Sequence, residues 1–159
     1  MKIMGLDPGI SATGYGIILD NKKTICGTIR PTEKDYYKKI SVICEKIKSL
    51  ITCYQPDVVS LEKAFYQKNV ASLIKISELR GAILFLLLQN KIKFIEYTPA
   101  QIKLVTTGNG RASKEQVRFI VERVLLKNRT RISHHAIDAL AIAYTAHRKQ
   151  RLVKCESII

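Results

Sequence analysis

Lys2-Ile3-Met4-Gly5-Leu6-Asp7-Pro8-Gly9 opens the chain with a short apolar run that ends on an acid and breaks at once into a Pro-Gly turn. Such a run reads as a strand, Lys2 to Leu6, that delivers Asp7 to its carboxyl end. Thr13 to Leu19, opened by Gly14-Tyr15-Gly16, is a second strand, and Thr24 to Ile29 a third, with Asp20-Asn21-Lys22 as the turn between them. Three consecutive strands joined by short turns make an antiparallel meander.

The period then changes. Ile40, Ile43, Ile47 and Leu50 recur at helical spacing between Lys34 and Tyr54, and Pro56-Asp57 breaks that helix. Val58 to Leu61 is a short buried strand ending at Glu62. Lys68 to Gln89 is helical again, with Leu73, Ile76, Leu79 and Ile83 in phase. Its last third, Ala82 to Leu88, is apolar on every side, which points to burial by core on one face and by a partner subunit on another. Ile92 to Tyr97 is a fifth strand. Thr98 caps a short helix with Pro99 at its first position. Ser113 caps another, through about Leu126, with Gln116 completing a capping box. Lys127 to Arg131 is a basic loop, and Ser133 caps a final helix to about Arg148. The order is β-β-β-α-β-α-β-α-α-α, an α/β class with a mixed five-stranded sheet flanked by helices. Residues 1–149 form the one domain, and 150–159 a basic, flexible tail.

The bulk numbers agree with one compact domain. The chain has 159 residues, enough to bury roughly 70% of the surface exposed on unfolding. Lys and Arg total 27 against 13 Asp and Glu, a net charge of +14. Folding gains nothing from that excess, whereas a polyanion such as nucleic acid repays it. Cys26, Cys44, Cys53 and Cys155 form no CxxC pair or zinc spacing, so they read as reduced thiols in the cytoplasm. No signal peptide or membrane span is visible; the longest apolar run is too short to cross a bilayer.

The acids carry the chemistry. Asp7 ends the first strand and Glu62 the fourth, and parallel strands end at the same sheet edge. Asp138 sits in Ala136-Ile137-Asp138-Ala139-Leu140-Ala141, where a bare charge is costly without a partner. A divalent cation would relieve the repulsion among them. His135 lies three residues before Asp138 and His134 four before, so either shares its helix face; spacing leaves that choice open.

These residues resemble a known family. Gly5-Leu6-Asp7-Pro8-Gly9 with Thr13-Gly14-Tyr15-Gly16, Glu62-Lys63-Ala64-Phe65 with Lys68-Asn69, Arg80-Gly81, and His135-Ala136-Ile137-Asp138-Ala139-Leu140-Ala141 resemble, in order, the motifs of the RuvC Holliday-junction resolvases, from Met1 to about His147. The resemblance implies a ribonuclease-H-like fold and a homodimer that nicks four-way junction DNA symmetrically in recombination and repair. It also implies two Mg2+ or Mn2+ ions per active site and work alongside a RuvA–RuvB branch-migration machine. Asp7, Glu62 and Asp138 match three of the family's four ligands. The fourth is an aspartate in many members; here His135 stands there, as ligand or base. The implied DNA face comprises Phe65, Lys68, Arg80, Lys103, Arg111 and Lys114, while Tyr66 is ambiguous. Three other classes fit less well. An actin-like ATPase needs two lobes, a RuvX-type nuclease lacks the match at Glu62 to Asn69, and a binding protein without activity has no use for paired acids.

Overall fold

A computed structural model describes residues 1–20, 23–63, 69–126 and 132–156, the last six of them by backbone alone. Five strands form one sheet: β1 (Ile3–Asp7), β2 (Thr13–Ile18), β3 (Thr24–Ile29), β4 (Val58–Glu62) and β5 (Lys93–Tyr97), in the spatial order β3-β2-β1-β4-β5. The pairs β1–β2 and β2–β3 are antiparallel, while β1–β4 and β4–β5 are parallel. The expected meander and mixed sheet are therefore present. The helices are α1 (Tyr36–Tyr54), α2 (Val70–Gln89), α3 (Pro99–Thr107), α4 (Lys114–Val121) and α5 (His134–Glu156). α4 continues into a wider π-helical turn over Glu122–Leu126.

The period of two along each strand divides the core into two layers. Met4, Leu6, Ile17, Val59 and Leu61 pack with Ile43 and Ile47 of α1 and Leu79, Ile83 and Leu87 of α2. Ile3 and Ile18 face the opposite way and pack with α3, α4 and the apolar side of α5. Caps fix where the helices begin. Thr98 and Ser113 each close a capping box, with Gln101 and Gln116 respectively, and the Ser133 hydroxyl accepts from the Ala136 amide.

One sequence expectation changes. α5 does not end near Arg148 but runs to Glu156, because neither Gly nor Pro interrupts residues 148–156. The Ala82 to Leu88 stretch has one face in the core and another left outward by its own chain. Ile83 and Leu87 are core and Leu84 and Leu86 are half-buried, but Phe85 is 61% and Leu88 63% exposed. With Val70 and Ile74, and with Gly81 between them, they form an outward apolar stripe at helical spacing.

What positions α5 is glycine on the sheet. A methyl group on Gly5 would overlap the Ala139 carbonyl and the Ala143 amide, and one on Gly14 would overlap the His135 carbonyl. One on Gly16 would lie 2.7 Å from the Leu140 amide nitrogen. All these obstacles are backbone, which cannot turn aside. Gly5→Ala is therefore expected to destabilise by about 3 kcal/mol, the upper end for an overpacked core, a fall in Tm of roughly 6–12 °C at this chain length. A thermal melt followed by circular dichroism checks it.

Candidate active site

Asp7 and Glu62 end neighbouring parallel strands, with Leu6 paired to Leu61 one residue earlier. Alternation along the strands turns both carboxylates to the α5 side. Gly14 is the cross-strand partner of Asp7, and the His135 backbone rests against Gly14. His135 is thereby set beside Asp7, where its Nδ1–H donates to Asp7 Oδ2 at 2.8 Å. Asp138, one turn further along α5, shares the same cleft. The cleft has a volume of about 340 Å³; Lys103 of α3 and Lys114 of α4 stand in its wall beside the four site residues.

The structure thus chooses between the two histidines. His134 is exposed and faces the other way, its ring nitrogens 3.1 and 3.3 Å from the Arg118 guanidinium. Arg118 also pairs with Glu122 at 2.8 Å.

Electrostatics mark the site as strained. Burial pushes the Asp7 carboxyl above its ordinary range; the hydrogen bond from His135 pulls it back in part, and the charge of Asp138 pushes it further up. The Glu62 carboxyl is also raised, first by burial and then by Asp7 and Asp138, with Lys114 and Arg80 opposing. Three carboxylates and one imidazole are an oxygen-rich donor set of the kind that takes magnesium or manganese. A cation among them would offset both the burial of charge and the repulsion that raise these carboxyls. Among the described residues, no three acidic, histidine or cysteine side chains meet at metal-ligand distance as they stand. The Asp7–His135 hydrogen bond keeps those two groups on each other, so metal entry entails a small turn of these side chains.

The basic residues expected at a DNA face divide. Lys103 and Lys114 line the cleft. Arg111 is exposed on the turn between α3 and α4, where its amide is held by Asn109 Oδ1, and it is not in the cleft wall. Arg80 is a correction. It is only 7% exposed, its guanidinium donating to the Glu62 carbonyl and pairing with Glu96. It braces the end of β4 behind Glu62, an internal engagement in place of the open basic surface expected. Its phase could have revealed this, since Arg80 falls in line with Ile76 and Ile83 on the core side of α2. Phe65 and Lys68, together with Tyr66, lie outside the described residues.

The comparisons with known proteins agree. The sequence model of the crossover junction endodeoxyribonuclease RuvC matches residues 3–147. The chain belongs to the RuvC family. Its curated relatives include the enzyme of Chloroherpeton thalassium, 38% identical over 94% of this chain and 83% of that one. The enzyme of Aliarcobacter butzleri is 39% identical over 91% and 97%. Among solved structures, Thermus thermophilus RuvC in complex with a Holliday junction substrate superposes with a TM-score of 0.86 at 25% identity, covering 96% of both chains. The fold is accordingly ribonuclease-H-like, and the chain is a crossover junction endodeoxyribonuclease of DNA recombination and repair, from a family that depends on a divalent metal.

The raised carboxyls predict a pH dependence of the metal-free protein. For an acid whose folded value is raised, the stabilising contribution is full below its ordinary value, here 3.8 for Asp7 and 4.5 for Glu62. It is lost as pH rises through the folded value. Glu62→Gln should therefore melt higher than the parent near neutral pH in EDTA, by a few degrees, and the gap should close near about pH 4. Paired melts across that range check both the sign and the window.

Proposed function

We propose that Asp7, Glu62, Asp138 and His135 hold two divalent ions, Mg2+ or Mn2+, and that the chain resolves four-way junctions by paired symmetric nicks. The observation that carries this is the convergence of all four side chains in one cleft beside Lys103 and Lys114. Asp7, hydrogen-bonded to the imidazole of His135, would be the central ligand, with Glu62 and Asp138 as the flanking carboxylate ligands. His135 serves as ligand or as base; its hydrogen bond with Asp7 leaves Nε2 for either role. When bound, divalent ions would supply Lewis acidity for hydrolysis of the phosphodiester. Lys103 and Lys114 grip the phosphate backbone, and without them the acids would repel it. Arg111, and Phe65 and Lys68 of the segment after β4, belong to the same DNA path, with Phe65 as a stacking surface for a base.

Two like nicks need two sites related by a twofold axis, and the α2 stripe is the surface offered for a second copy. Phe85 and Leu88 are its anchors, and Gly81, with open space around it, allows close approach of a second helix. A RuvA–RuvB machine presenting the junction, and a cytoplasmic setting, go with this substrate. Among the described residues no helix is long and apolar enough to cross a membrane.

Cleavage of a synthetic four-way junction, with Mg2+, with Mn2+ and with EDTA, tests this reading. Asp7→Asn is expected to lose cleavage by 100-fold or more, the scale on which metal-site residues act, while junction affinity stays within threefold. Equal loss of binding would make Asp7 a docking or folding residue. An imidazole favours manganese over magnesium, so the parent should prefer Mn2+ and His135→Asp should shift toward Mg2+. A parent enzyme with full activity in EDTA would overturn the metal assignment.

The double variant Phe85→Glu/Leu88→Glu should sediment as a monomer that nicks a junction once per encounter. It leaves Ile83 and Leu87 in the core, so its melt should stay near the parent's. A dimer persisting at micromolar concentration would place the interface elsewhere.

A further inference from the structure

A second concavity lies beside the catalytic loop, of about 410 Å³. Its walls come from three places. Ser11 belongs to the loop that leaves Asp7, Lys34 and Lys39 flank the start of α1, and Ser72 and Lys75 lie on the first turns of α2. Three ammonium groups and two hydroxyls therefore converge on one hollow. Among the described residues none of the three lysines is paired with a carboxylate. The nearby acid Glu78 is engaged elsewhere, accepting from the Tyr36 hydroxyl. Tyr36 also donates to the Lys75 carbonyl, and the Lys75 ammonium sits 5.7 Å from the Tyr36 ring centroid. Tyr36 thus joins α1 to α2 and holds Lys75 at the rim.

We propose that this pocket is a second DNA-backbone site, gripping one or two non-scissile phosphates of the bound junction on the α2 side of the active site. The inference rests on the junction-binding part of the function proposed above. Like charges gathered without a partner repel, and a phosphodiester relieves them. Lysines act as point charges and serine hydroxyls as donors, the equipment of backbone contacts that position DNA without reading its sequence. Ser11 follows Asp7 by four residues, so their Cα atoms are at most roughly 14 Å apart. That is a reach of a few nucleotides at a rise of roughly 3.4 Å per phosphate along one strand. The pocket is separate from the Lys103–Lys114 wall, which reaches the cleft from α3 and α4. DNA held at both places is fixed at two points of its backbone.

The test compares the full-length parent with Lys34→Gln/Lys39→Gln/Lys75→Gln and with the matching triple Lys→Arg variant. Junction binding is measured in EDTA over a salt series, and single-turnover cleavage is measured at saturating junction. The Gln variant should bind roughly 10-fold more weakly at low salt, and its slope of log affinity against log salt should be shallower by about 0.9–1.8, one to two phosphates' worth. Its saturating cleavage rate should stay within twofold of the parent's, and the Arg variant should restore the slope. A Gln variant with the parent's slope overturns the proposal. So does weakened binding with an unchanged slope, which marks the lysines as packing residues. A parent that binds the junction with the expected slope change but never cleaves it would sink the nuclease reading and leave the pocket standing.

Discussion

The structure turns on how closely α5 lies against β1 and β2. Gly5 and Gly16 are cross-strand partners, and each meets the α5 backbone directly. Ala139 and Ala143 are the small residues on the helix side. This contact leaves no room for side chains, and so it also removes freedom. The helix can neither slide nor rotate without driving backbone into backbone, as close-packed interiors forbid. At its catalytic end the same contact places the His135 backbone on Gly14, and Gly14 is the partner of Asp7. The active-site pairing of His135 with Asp7 is thus a consequence of sheet register. On the other side of β1, the Ser60 hydroxyl donates to the carbonyls of Met4 and Ile142, which ties the middle of α5 to both parallel strands.

The rigid scaffold holds an unfavourable charge arrangement. Burial raises the proton affinity of Asp7 and Glu62, the charge of Asp138 adds to both, and that of Asp7 adds to Glu62. A free cluster of this kind would splay apart. Here the strands hold Asp7 and Glu62, the helix holds Asp138, and Arg80 secures the end of β4 through the Glu62 carbonyl. Lys114 offsets part of the repulsion from outside. A divalent cation held among these carboxylates would offset that repulsion.

Much of this was legible in the sequence, for physical reasons that can be named. The meander shows because apolar runs end at Asp-Pro-Gly and at polar turns. The starts of α3, α4 and α5 show because Thr98, Ser113 and Ser133 are N-cap residues with their partners in place. The three acids show because each interrupts an apolar run at an element's end or core face. Less legible were features set by contacts between elements. Nothing local says that Arg80 turns inward to Glu96, although its phase with Ile76 and Ile83 hints at it. The uniformly apolar Ala82 to Leu88 has almost no periodicity, so the outward position of Phe85 and Leu88 emerges only when the sheet lies against α2. The spacing that left His134 and His135 equivalent is resolved by Gly14, a residue 121 positions from His135 in the chain.

Charge placement connects the fold to its substrate. An acidic centre by itself repels phosphate, so the basic excess of +14 is useful only where it counters that repulsion without neutralising the acids. Lys103 and Lys114 stand in the cleft wall, from α3 and α4, where they could do so. Lys34, Lys39 and Lys75 line a second hollow at the starts of α1 and α2, beside the loop that leaves β1. Neither group reads a base, so what they select is the path of a backbone. Selection by path is what a nuclease needs when its target is defined by the shape of the DNA.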